Sequence, residues 1–371
     1  MRPVTYLLIS ILLLCIFPFH IEKPIPIENT SFTFAFGIDV NPNEELVFYS
    51  SNPVFSMEAK ETKEIFNIKA QTSKQVQDEI DRRTAGINVL SKMQVILIGK
   101  KLLTYKNWPS LLDFIYRDYK STVTPLLIVV DGPVADVIHF SPKNKPRISL
   151  FLKSLITSSK LRGETVETSL QEFHRQTFEK GITPVLPKIK KHKDIFLTGS
   201  SLLTKNGQYK GSLDPQETAL LRILQGQKSS YSFTIPTCPK ATNSPVMSGV
   251  MSFTGQNQNI SIKSSYKGGK YQFDYNIHMH IVLNEYIKCL HKETKVTELE
   301  KKIQEHLEKK LQILVRKIQY HQIDPIGLGV YARAFHYKEY KKVQNEWGKT
   351  LSNANIHFNL DVEVKTVGVI K

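Results

Sequence analysis

The sequence predicts a mixed α/β (α+β) protein: a three-domain body of mixed sheets packed with helices, behind an N-terminal leader. Three observations carry this expectation. The near-continuous apolar runs "MQVILIG" (93–99) and "TPLLIVVDG" (124–132) have the character of strands buried on both faces, with a helical pattern between them. The segment "IFLTGSSLLTKNGQYKGSL" (195–213) is strand, Asn-Gly turn, strand, a strong short-range hairpin signal. A long amphipathic helix near the C-terminus is followed by a strand of strict alternation.

Taken in order, "SFTFAFGID" alternates Phe32, Phe34, Phe36 and Ile38 against smaller residues, which predicts a half-buried strand. The turn residues "NPNE" (41–44) and the run "ELVFYSSNPVF" complete an antiparallel hairpin. Ser73 is placed to cap a helix from Lys74 to about Gly86, with Val76, Ile80 and Ile87 inward. "WPSLLDFIYRDY" (108–119) and residues 148–178 have helical patterns. Two prolines, a glycine and a basic run in "GITPVLPKIKKHKD" (181–194) then mark a boundary. Asp214, with Pro215 at the first helical position, caps a helix to Gln225. "KATNSPVMSG" (240–249) is a second linker, and strands follow at 250–254, 258–266 and 270–283, the last two joined by "KGGK". Thr297 and Glu300 have the spacing of a capping box. Leu299, Ile303, Leu307, Leu311, Leu314 and Ile318 form one apolar stripe behind it. The strand 356–370 closes the chain, with Ile356, Phe358, Leu360, Val362 and Val364 on one side. These breaks give a leader (1–22), an N-terminal α/β domain (23–192), a small middle domain (193–243) and a C-terminal α/β domain with the long helix (244–371).

The leader decides where the body works. The apolar stretch Val4–Phe19 is 16 residues long and preceded by Arg2. That is short of the roughly 20 residues a spanning helix needs and has the polarity of an export signal. Cys15 lies within it as the candidate lipidation site, although Leu14 stands where a lipoprotein leader carries Gly, Ala or Ser. No A-x-A cleavage site is present, so an uncleaved anchor is the other outcome. The remaining cysteines, Cys238 and Cys289, suit either one disulfide or two separate thiols, not a disulfide scaffold.

Charge narrows the partners. There are 50 basic and 34 acidic residues, a net charge of +16, which fits an anionic surface. The leader turns that choice towards acidic lipid head groups and away from nucleic acid. Each basic residue close to such a surface contributes about 1 kcal/mol.

Several segments have the residue types of catalytic or metal sites, and each also has a simpler structural explanation. His278 and His280 share one face of the strand 270–283 and are the best metal candidates, but no third or fourth ligand is signposted and a solvated strand face explains them. "GLGVYA" (327–332) matches a dinucleotide fingerprint but follows a helix and "IDP" rather than a strand, so its glycines are expected to serve a sharp turn. "TGSSL" (198–202) lacks a nucleophile elbow. Glu298 and Glu300 sit among lysines as a solvated helix surface, and "KIKKHK" (188–193) fits an exposed linker better than a phosphate site. The expectation is therefore no enzyme, no cofactor and no metal.

Several segments together resemble one family, the Ger(x)C lipoproteins, C subunits of bacterial spore germinant receptors. They are "FAFGID" (34–39), "MQVILIG" with "LLDFIYRD", "TPVLP" (183–187), "LTGSSLLTKNGQYKGSLD" (197–214), "PTCP" (236–239), "DPIGLG" (324–329) and, at the end, Tyr337, Trp347 and "NLDVEVKTVG". They occur in the family's order over nearly the whole chain. The resemblance implies three α/β domains in a non-enzymatic subunit that a lipidated cysteine, here Cys15, holds on the outer face of the inner spore membrane. It also implies assembly with membrane-embedded A and B subunits into a nutrient receptor. The alternative class is an extracytoplasmic solute-binding lipoprotein.

Overall fold

The structure, a computed structural model, describes Pro26 and residues 30–55, 58–84, 86–141, 143–236, 249–287 and 295–366. Cys15, Cys238, Cys289 and most of the 240–249 linker lie outside the described residues.

The first half runs β1 (Thr30–Phe32), β2 (Ala35–Val40), β3 (Leu46–Pro53), β4 (Lys63–Lys69), α1 (Ser73–Asp81), β5 (Ile87–Val89) and β6 (Val95–Gly99). It continues with α2 (Asp113–Arg117), β7 (Leu126–Val130), α3 (Val134–Ile138), α4 (Ile148–Leu161), α5 (Leu170–Phe178) and β8 (Val185–Lys191). The second half begins with β9 (Ile195–Leu203), β10 (Tyr209–Leu213), α6 (Pro215–Leu224), β11 (Tyr231–Pro236), β12 (Val250–Lys267) and β13 (Lys270–Tyr286). It ends with α7 (Val296–Tyr320), α8 (Leu328–Phe335), α9 (Tyr337–Val343), α10 (Trp347–Ser352) and β14 (Asn355–Thr366).

The larger sheet has the order β10-β9-β8-β7-β6-β2-β3-β4. Its centre, β8-β7-β6-β2, is parallel, and both flanks are antiparallel. The two faces of β6 separate by residue parity. Ile96 and Ile98 join the core under α1, α2 and α5, while Val95 and Leu97 join the core under α3 and α4. Helices on both faces explain why β6 and β7 are apolar throughout instead of alternating. Burying each such side chain contributes about 1.5–3 kcal/mol.

A second sheet, β11-β12-β13-β14, is antiparallel except that β14 runs parallel to β13. Helix α7 lays its whole predicted stripe, Leu299 to Ile318, into the core beneath. That core also takes in Val185, Leu202 and Leu213 of the larger sheet and the apolar face of α6. The body is thus α+β, with mixed sheets packed against helices.

Several local expectations change. β2, expected to be half-buried, lies in the sheet interior between β3 and β6 and is buried on both faces. β4 and β5 were not anticipated, and Ile87 lies exposed in β5 instead of on the inner face of α1. Thr72 caps that helix, its side chain accepting from the Gln75 amide, and the helix includes Ser73. Residues 148–178 form two helices, separated where Gly163 takes a positive φ and Ser169 caps α5. The basic stretch expected as a linker contains β8, and β9 pairs with β8, so the larger sheet runs continuously across position 193. Two expected strands at 250–266 are one strand, β12, with a bulge where Asn257 turns to positive φ. No capping box forms at α7: Thr297 is inside the helix, and Glu300 accepts from the Val364 amide of β14 at 2.9 Å. Among the described residues no helix is long and apolar enough to cross a membrane.

Candidate functional site

The motif "DPIGLG" builds a densely hydrogen-bonded site between α7 and α8. Asp324 is fully buried, between α7 and α8. Its carboxylate accepts from the Gly327 amide at 2.7 Å, the Gly329 amide at 2.8 Å and the Trp347 indole N–H at 2.7 Å. Burial pushes its carboxyl above the ordinary value, and the indole and amide donors pull it part of the way back. Gly327 has φ +90°, so it can precede α8 without the strain an L side chain would bear. Gly329 packs directly on Gly181: a Cβ there would lie 2.5 Å from the Gly181 Cα and 2.7 Å from the Trp347 Nε1.

This knot crosses between the two halves of the chain. Thr183, just before β8, donates its amide to the Asp324 carbonyl at 2.8 Å, and the Asp324 amide returns a bond to Thr183 Oγ1 at 3.1 Å. Around it, Arg333 meets Glu179 at 2.8 Å and Lys180 donates to Asn345 at 2.9 Å. Beside the knot opens a cleft of about 550 Å³, lined by Lys180, Thr204, Lys205, Asn345 and Trp347. Lys205 donates to the carbonyls of Gln176 and Glu179 at the C-terminal end of α5. Burial lowers the Lys205 ammonium to about 8, with Glu179 opposing the shift.

A second carboxylate does related work in "FAFGID". Asp39, at the end of β2, accepts from the Val134 amide at 2.9 Å and from the Val40 amide at 2.8 Å. It thereby caps α3 from the C-terminal end of β2. Burial raises its carboxyl, and the two amides oppose that. The hairpin 195–213 is fixed in a similar way, since the Trp108 indole donates to the Gly207 carbonyl at 2.7 Å in the turn.

The remaining sequence candidates fall into three groups. Ser200 and Ser201 of "TGSSL" are fully buried in β9. Lys188 of "KIKKHK" is also buried, 4.0 Å from Asp131, while Lys190 and His192 are exposed. His278 and His280, on the outer face of β13, stand in register with Asp361 and Glu363 of β14. The His278 Nδ1 is 2.8 Å from Asp361 Oδ2, and the His280 Nε2 is 3.6 Å from Glu363 Oε2. One nitrogen of each histidine and one Glu363 oxygen lie within 4.8 Å of one another.

Sequence reasoning missed two partnerships. Asp324 and Trp347 both lie in motifs of interest, but a separation of 23 positions hides their contact. Asp361 and Glu363 sit on the polar face of an alternating strand, yet only the pairing of β14 with β13 brings them to the histidines.

Comparison with known proteins connects these motifs to a family. Residues 23–191 match the family described as spore germination protein N-terminal domain, and residues 198–368 match the one described as spore germination B3/GerAC like, C-terminal. The spore germination protein GerQC of Bacillus cereus is 21% identical over 318 residues, covering 83% of this chain and 84% of the relative. The crystal structure of the GerBC protein superposes with a TM-score of 0.56 at 18% identity, covering 90% of this chain and 98% of the other. That similarity extends over both sheets of the fold.

Proposed function

The chain belongs to the GerAC-like family of spore germination proteins, and from that premise we propose that it is the C subunit of a nutrient germinant receptor, working by binding and not by chemistry. The observation that carries the reading is the co-linear match of both family segments, which together cover nearly all of the body. The partners are the membrane-embedded A and B subunits. The subunit stands on the outer face of the inner spore membrane, held there by Cys15 through lipid or by an uncleaved leader. An excess of basic residues, 50 against 34 acidic, lets the body lie against anionic head groups.

A binding role is supported because the two best-held carboxylates are spent on structure. Asp39 and Asp324 accept backbone amides and an indole, which leaves them fixed as scaffold. A subunit that docks large partners gains from such rigidity, since little ordering is then required on association.

The test is genetic. Spores of a strain lacking this chain and any redundant paralogue are expected to lose the response to at least one nutrient, and the wild-type chain is expected to restore it. A Cys15→Ala chain is expected to restore less, with less of the protein in the membrane fraction. Normal germination of the deletion strain with every nutrient would contradict the proposal.

The cleft beside Asp324 favours one second reading, a solute-binding lipoprotein holding a small polar ligand near Lys205 and Asn345. A saturable thermal shift with an amino acid or sugar, abolished by Lys205→Met, would support it over the first.

A further inference from the structure

We propose that His278, His280 and Glu363 form a binding site for a divalent cation of the zinc class on the outer face of the second sheet, with Asp361 holding His278 in place. The proposal is independent of the germination reading. It rests on a two-by-two array that strand pairing creates: two histidines at alternate positions of β13, opposite two carboxylates at alternate positions of the parallel strand β14.

The geometry suits a shared ion. Two ligands about 2.0–2.2 Å from a tetrahedral zinc are roughly 3.3 Å apart. The His280 Nε2 and Glu363 Oε2 are separated by 3.6 Å, so a small side-chain adjustment places both on one ion. One nitrogen of His278 falls within the same 4.8 Å group. Its Nδ1 faces Asp361 Oδ2 at 2.8 Å, which leaves Nε2 as the metal ligand and gives the carboxylate–histidine–metal arrangement that fixes tautomer and ring orientation. The imidazole rings stand at 86° to each other with centroids 5.3 Å apart, so they do not stack and their edges can converge. Glu363 Oε1 pairs with Lys365, leaving Oε2 turned to His280.

The donor set selects the ion. Two imidazoles and one carboxylate favour zinc or a neighbouring transition metal over calcium or magnesium, which take oxygen ligands. All three residues are partly exposed, so the fourth position is open to water or to a carboxylate or imidazole of a docked partner. Such an ion would bind β14 to β13 by more than their parallel ladder.

The experiment uses the full chain in detergent, stripped with EDTA and titrated with ZnCl₂ by calorimetry, with Co²⁺ as a spectroscopic probe. One zinc per chain is expected, together with a tetrahedral Co²⁺ spectrum that lacks thiolate charge transfer. His278→Ala/His280→Ala is expected to abolish binding, Glu363→Gln to weaken it at least 10-fold, and Asp361→Asn to weaken it about 10-fold, as for other outer-shell partners. Asp274→Asn, on the same strand face, serves as the control and should bind as wild type does. Glu363→Gln changes a single exposed carboxylate, so its loss of binding can be read with circular dichroism unchanged. Absence of saturable binding, or equal binding by the double-histidine variant, would overturn the site and leave these residues as cross-strand ion pairs.

Discussion

Asp39 and Asp324 invite comparison because each is an aspartate whose carboxylate accepts backbone amides at the start of a helix. Asp39 serves one layer. It joins the end of β2 to α3, and everything it touches belongs to the larger sheet and its own helix. Asp324 is fully enclosed, its carboxylate takes three N–H donors, and its backbone exchanges two hydrogen bonds with the amide and hydroxyl of Thr183 in the other half. The carboxylate thus organises a helix start in both places, and at Asp324 the backbone amide and carbonyl of the same residue also reach across to the other half. What differs is how much structure depends on each carboxylate, and that is open to measurement.

The largest effect is expected from Asp324→Ala. It leaves three buried donors without an acceptor, each costing about 1–3 kcal/mol, so unfolding by urea should show a loss of about 3 kcal/mol or more. Gly329→Ala attacks the same knot sterically. The new Cβ meets the Gly181 Cα at 2.5 Å, and a loss of about 1–3 kcal/mol is expected. Asp39→Ala should cost about 1 kcal/mol, as for a lost helix cap. Hydrogen exchange should rise in α3 while the second core stays unchanged. Equal losses for Asp39→Ala and Asp324→Ala would erase the distinction.

A pH-dependent effect lies on the rim of the knot. Folded Lys205 releases its proton near pH 8, against the ordinary lysine value of 10.5. Between those values the unfolded chain binds more protons, so this group makes wild-type stability rise as pH increases through the window. Below about pH 8 the cost of holding the buried ammonium is fully present. Urea midpoints of Lys205→Met measured from pH 7 to 10.5 should lack that rise relative to wild type.

Much of this architecture was legible because local pattern and tertiary role agree. β6, β7, the Asn-Gly hairpin, α6 with its Asp214 cap, and the α7 stripe each occur as the residues predict. The failures came where tertiary pairing overrides local composition. The prolines and lysines of 184–191 look like a linker, yet β7 and β9 draw them into the sheet, and Lys188 is buried at Asp131. Glu300 was assigned to a cap because of its spacing, but β14 passes close enough to claim it. The candidate sites were less legible still. Nothing near His278 in the sequence points to Glu363, 85 residues later, because a parallel pairing of β13 with β14 is a property of the whole fold.

The knot at Asp324 is expected to make the two family segments one cooperative body. Hydrogen exchange by mass spectrometry across a urea series, on the full chain, tests it most directly. In wild type, β6 and β7 of the first core and β13 and α7 of the second should lose protection at the same urea concentration. In Asp324→Asn the second core should open first, at lower urea, while β6 and β7 keep their protection. Separate opening of the two cores already in wild type, or joint opening in Asp324→Asn, would contradict the account.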